Sequence, residues 1–108
     1  MYPARTFIPL GDPVAISGSS ASTGAQISAG GEIANGQGAV RVYNAGPNTA
    51  HVKLWQTAGN TGLATHMKIP SGVVELIGVP AGWAAVHATV ICAATETAAV
   101  QLTPGVGI

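Results

Sequence analysis

A single antiparallel β-sandwich or jelly-roll-like domain of about seven or eight strands is the fold the sequence predicts, on three observations. Turn-forming residues punctuate the 108-residue chain at short intervals: Gly11-Asp12-Pro13, Gly46-Pro47-Asn48, Gly59-Asn60, Pro70-Ser71-Gly72, Pro80-Ala81-Gly82 and Pro104-Gly105. The runs between them are mostly β-branched or alternating and about 5–9 residues long, as strands are. No run holds a helical period over the length an isolated helix needs; the many alanines sit among Val, Thr and Ile in runs cut by Gly and Pro. At this length one domain, residues 1–108, buries roughly two-thirds of its unfolded surface and needs no disulfide or metal to hold a core.

Residues 6–10 and 14–17 read as short extended pieces. The prolines at 3, 9 and 13, with Tyr2, Phe7, Ile8 and Leu10, make residues 1–13 either an extended arm reaching a neighbour or an edge strand of its own sandwich. Residues 18–38 are rich in Gly, Ala and Ser, with one strand around 25–28 and a long mobile loop. In 39–44, Val40 and Val42 alternate with Arg41 and Tyr43; in 50–55, Val52 and Leu54 alternate with His51, Lys53 and Trp55. Period-two alternation gives each strand an aliphatic face and a polar or aromatic face. The loop 45–49 carries Gly-Pro-Asn, which predicts a hairpin. A second hairpin is predicted from 65–69 through Pro70-Ser71-Gly72 into 73–79. Residues 84–92 form a central strand with Val86, Ala88, Val90 and Cys92 on one face and His87, Thr89 and Ile91 on the other. Residues 98–103 place Val100 and Leu102 inward, and Pro104-Gly105 ends the strand. Trp83, at a strand start, anchors the sandwich.

Charge narrows the function. Lys, Arg, Asp and Glu make up 7% of the residues and cancel to zero, against about 25% charged in an ordinary soluble domain. So few like charges leave little to keep copies apart, and charge depletion is what interface cores show. Much of the surface is therefore expected to be covered by neighbours at work. The plainer alternative is a domain kept soluble by Ser, Thr, Asn and Gln. Four basic against four acidic residues give no footprint for nucleic acid. No apolar run reaches the roughly 18–20 residues that span a bilayer, so no membrane partner is expected. The N-terminus lacks the apolar segment of a secretory signal. Cys92 is the only cysteine, which rules out an intrachain disulfide and fits synthesis in a reducing cytoplasm.

The inventory for catalysis is thin, and no enzyme, catalytic residue, metal or cofactor is predicted. Asp12, Glu32, Glu75 and Glu96 are isolated, with no spacing that suggests a carboxylate pair. His51, His66 and His87 match no compact metal-ligand pattern. His51 and His66 read as solvated or interface histidines, and His87 as partly buried. The odd offset between His87 and Cys92 puts them on opposite faces of a strand, so Cys92 reads as a small buried hydrophobe. The Gly-rich residues 30–38 lack Gly-Lys-Ser/Thr and precede a strand, which makes them a loop and no phosphate cradle.

One surface carries a functional expectation. Arg41, Tyr43, His51, Lys53 and Trp55 should share the outer face of the first hairpin, and Tyr, Trp and Arg dominate interface hot spots. Three readings stand: a partner interface, cover by another part of the same chain, or a sugar site with Trp55 and Tyr43 as stacking platform.

Val40-Arg41-Val42-Tyr43-Asn44-Ala45-Gly46-Pro47-Asn48-Thr49-Ala50-His51-Val52 resembles the R-V-x-N-x-G strand and turn of small tailed-bacteriophage virion proteins. Ile69-Pro70-Ser71-Gly72-Val73-Val74-Glu75 resembles their I-P-A-G-S-x-E turn, with Ser71 where Ala is common. Val100-Gln101-Leu102-Thr103-Pro104-Gly105-Val106-Gly107 resembles their T-P-G-E-G tail, with Val106 where Glu is frequent. The likeness falls within residues 39–107. It implies a structural β-sandwich on the virion, a capsid decoration or cement protein made in the host cytoplasm that locks capsid subunits together at the capsid surface. The partners implied are the major capsid protein or other virion subunits and further copies of this chain, often as a trimer. Another head, fibre or tail component fits the same residues, and a carbohydrate-binding module is the rival from a different class.

Overall fold

The computed structural model describes residues 7–28 and 37–107. Its secondary structure there is nine strands and no helix: β1 (Ile8–Pro9), β2 (Val14–Gly18), β3 (Thr23–Ser28), β4 (Gly38–Asn44), β5 (Ala50–Trp55), β6 (Met67–Ile69), β7 (Val74–Gly78), β8 (Val86–Ile91) and β9 (Ala98–Val106). They form two antiparallel sheets. In the first, β9 lies between β4 and the successive short strands β1 and β2, and β7 forms the far edge; the second has the order β3-β8-β5-β6. From β2 onward every connection passes from one sheet to the other except β5 to β6. Eight strands ordered β2-β9-β4-β7 over β3-β8-β5-β6 are the double-sheet jelly roll.

The core lies between the sheets and is aliphatic: Val40, Val42, Val52, Ile69, Val86, Val90, Val100 and Leu102 are fully buried. The inward and outward sets read from β4, β8 and β9 are those the structure shows. Trp83 packs against this core. Cys92 is buried and free.

Both expected hairpins are overturned. β4 pairs with β7 and β9, β5 pairs with β6 and β8, and the two strands lie in opposite sheets. Likewise β6 belongs to one sheet and β7 to the other. Alternation fixes which face of a strand is apolar, but two strands that share a core from opposite sheets alternate just as hairpin partners do. The hairpin that does exist, β5 with β6, spans the long segment 56–66.

The first motif turn closes around a buried amide. Asn44 is 0% exposed; its Nδ2 donates to the Asn48 and Ile69 carbonyls, both at 2.8 Å, and its Oδ1 accepts from Gly46 N–H at 2.9 Å. The Gly72 N–H donates to the Asn44 carbonyl at 2.7 Å, and Ser71 Oγ donates to the Gly46 carbonyl. A Cβ on Gly46 would overlap the backbone of Ala98 and Ala99, so only glycine fits there. Two of the three motif segments thus meet at one junction, which ties the ends of β4 and β6 to the starts of β7 and β9.

The strand expected to stop before Pro104 runs on to Val106. The Pro104 carbonyl accepts from Leu10 N–H at 3.0 Å. An antiparallel residue points both its backbone groups at one neighbour. The missing N–H of Pro104 therefore faces the gap between β1 and β2, where no strand needs it. Ile8 and Pro9 pair with Val106 and Gly105, so this part of residues 1–13 is an edge strand. Residues 1–6 of the arm, and 29–36 of the expected long loop with Glu32, lie outside the described residues.

Candidate functional site

The five residues expected on one face are divided between two. Arg41 and Tyr43 lie on the outer face of the β4 sheet, and His51, Lys53 and Trp55 on the outer face of the β5 sheet, across the core. A stacking platform made of Tyr43 and Trp55 therefore does not form.

On the first face, register places Leu76 and Thr103 beside Arg41, and Val74 and Gln101 beside Tyr43. Arg41 is exposed and Tyr43 half-buried. Val74 and Leu76 are 42% and 44% exposed, on the edge strand β7. Arg41 is the single charged side chain at an outward position of the described strands of this sheet. Along the other edge, Phe7, Pro9 and Pro13 border a shallow depression of ≈ 520 Å³ with Arg41 and Thr103.

The second face is partly roofed by its own chain. The segment 56–66 between β5 and β6 crosses it, and Gly62 N–H donates to Ser22 Oγ, beside β3, at 2.6 Å. Beneath it Thr89 is 3% exposed and accepts a hydrogen bond from Trp55 Nε1–H at 2.9 Å. The Lys53 ammonium stands over the indole, 4.1 Å from the ring centroid, a cation–π contact. His66 meets the indole edge-on with centroids 5.8 Å apart.

His51, expected on an exposed face, is 9% exposed. Its Nδ1–H donates to the His66 carbonyl at 3.3 Å. His66 Nδ1 accepts from Leu63 N–H at 3.2 Å. Desolvation, and then the charges of Lys53 and His51, hold the His66 imidazole below its ordinary range, which suits a ring nitrogen used as an acceptor. Burial first, and Glu96 second, push the Cys92 thiol up, away from reactivity.

His51 and His87 take outward positions on this sheet and His66 lies in the crossing segment, yet no group of three or more His, Cys, Asp or Glu able to hold a metal occurs among the described residues. What sequence reasoning missed is a cleft of ≈ 380 Å³ between the crossing segment and strands β3 and β8. Gly24, Gln26, Trp55, Thr57, Asn60 and His87 line it. Alternation does place Gln26, His87 and Trp55 outward, and register then sets them in one row; the neighbouring relation of β3 to β8 is what no local pattern supplies. No helix of the described residues is long and apolar enough to cross a membrane. Comparison with protein-family models, with curated proteins and with solved structures finds no match.

Proposed function

We propose that the protein is a structural virion component, a capsid decoration or cement protein that acts by subunit contacts. The observation that carries this reading is the outer face of the β4 sheet, charge-poor and with Val74 and Leu76 more than 40% exposed on its edge strand. Burying the exposed part of such side chains contributes on the order of 1 kcal/mol each. One copy so held binds weakly, whereas a subunit that touches several neighbours at once gains by avidity. Arg41 and Tyr43, central on this face, are of the residue types that anchor interfaces. The 7% charge content supports the same reading, because an exterior poor in ions costs little to desolvate. The phage-like turns at 44–48 and 69–73 contribute the fold, since their side chains and backbone are spent on the junction around Asn44.

The test is co-sedimentation of the full chain with the shells of its own virus, alongside its mass by light scattering. Saturable binding, with a defined number of copies per shell, is expected. A lone 10.7 kDa subunit that stays in the supernatant at every concentration would refute the proposal.

A further inference from the structure

We infer that the cleft between segment 56–62 and strands β3 and β8 is a binding site for a neutral saccharide. The inference stands apart from the capsid reading, which uses the opposite sheet.

The chemistry of the lining selects the ligand class. Gln26, Thr57, Asn60 and His87 supply amide, hydroxyl and imidazole groups, and no Asp, Glu, Lys or Arg lines the cleft. Among the described residues, several of these groups keep hydrogen-bonding capacity in hand. Gln26 Nε2 donates to the Ser28 carbonyl, which leaves its Oε1 unused. Asn60 Nδ2 donates to the Thr57 carbonyl and hydroxyl oxygens at 2.8 and 3.1 Å, which leaves Asn60 Oδ1 unused. The His87 ring makes no hydrogen bond to a described residue. A sugar hydroxyl both donates and accepts, and so matches a mixed, uncharged set. An ion would find no countercharge. The remaining wall is the Trp55 indole, an amphipathic surface of the type on which the C–H face of a pyranose packs.

The cleft is built in advance. Its floor includes Gly24, which leaves backbone accessible where any other residue would stand. The indole is fixed by its bond to Thr89 Oγ1 and by Lys53 above the ring. The roof is pinned by Gly62 to Ser22 and braced by Asn60 to Thr57. Such fixing cuts the ordering cost of binding. The volume of ≈ 380 Å³ lies at the small end of ligand sites, enough for one or two sugar rings.

The experiment screens the full chain on an array of neutral glycans, with hexagalacturonate as an anionic control. Hits are then titrated against the 15N-labelled protein by NMR. The expected result is a saturable shift of the Gly24 and Gly59 amides and of the Trp55 indole N–H with at least one neutral oligosaccharide. Gln26→Ala and His87→Ala should each weaken that binding about tenfold, as loss of one good hydrogen bond does. Gln26 is exposed, so its variant keeps the fold, which unchanged core methyl resonances would verify. Absence of any saturable shift overturns the inference. So does binding that survives both substitutions, or tighter binding of hexagalacturonate than of every neutral glycan.

Discussion

Replacing Asn44 by alanine should remove a large share of the stability of the domain. The side chain is wholly buried and makes three hydrogen bonds, to the carbonyls of Asn48 and Ile69 and from the N–H of Gly46. Truncation at Cβ orphans the Gly46 N–H and takes from the Ile69 carbonyl its side-chain donor, both at buried positions, while the Asn48 carbonyl is only part-buried and can turn to water. The buried orphan costs about 1–3 kcal/mol and each of the two other lost bonds about 0.5–1.5 kcal/mol. The total is about 4 kcal/mol, against a stability of roughly 5–15 kcal/mol for a domain of this kind. At about 4–8 °C per kcal/mol the melting midpoint should fall by roughly 15–30 °C. Urea unfolding followed by Trp emission measures this directly. The slope with denaturant should be unchanged, because the same surface is exposed. Asn44→Ala within about 1 kcal/mol of the parent would refute the idea that this amide ties the turns 44–48 and 69–73 together.

Three further outcomes follow from the same geometry. Thr95, in the turn before β9, has φ of 65°, an unfavourable region for a β-branched residue; Thr95→Gly should raise stability by about 0.5–1 kcal/mol in the same urea assay. Lys53→Met should raise the His66 pKa, read by NMR titration, since the Lys53 ammonium is one cause of its depression. The folded state binds this proton less readily than the unfolded chain, so stability is full above the ordinary imidazole range and falls as pH drops through it; the screened position of His66 keeps the effect small, and Lys53→Met should reduce it further. Cys92, buried with its thiol pushed up, should react with a disulfide reagent at pH 7 only on unfolding, and fast labelling of the native protein would contradict its placement.

Much of the fold was legible in the residues, and the reason is visible strand by strand. Val40, Val42, Val86, Val90, Val100 and Leu102 share one parity within their strands, and each lies where that parity put it, in the core. Pairing was not legible. The loop 45–49 joins β4 to β5 across the core, and five residues of extended chain reach further than the ≈ 10 Å between packed sheets. Gly-Pro-Asn serves that crossing as readily as a hairpin. A wrong partner for β4 then placed Arg41 and Tyr43 beside Trp55, and so merged two surfaces that the core separates. Alternation turns Gln26 and His87 outward, but nothing local brings the cleft together, because Gln26, Asn60 and His87 come from β3, the crossing segment and β8. Pro104 misled for a physical reason too: the missing N–H it contributes faces a gap that only the topology reveals.

The measurement closest to the central claim compares two substitutions in shell binding, one on each face. Leu76→Lys places a charge on the outer face of the β4 sheet, and Gln26→Lys places one on the opposite sheet. In quantitative co-sedimentation, Leu76→Lys should lower the copies bound per shell at least tenfold while Gln26→Lys binds as the parent does. Equal binding by all three proteins, or loss confined to Gln26→Lys, would contradict the assignment of the charge-poor face to the capsid.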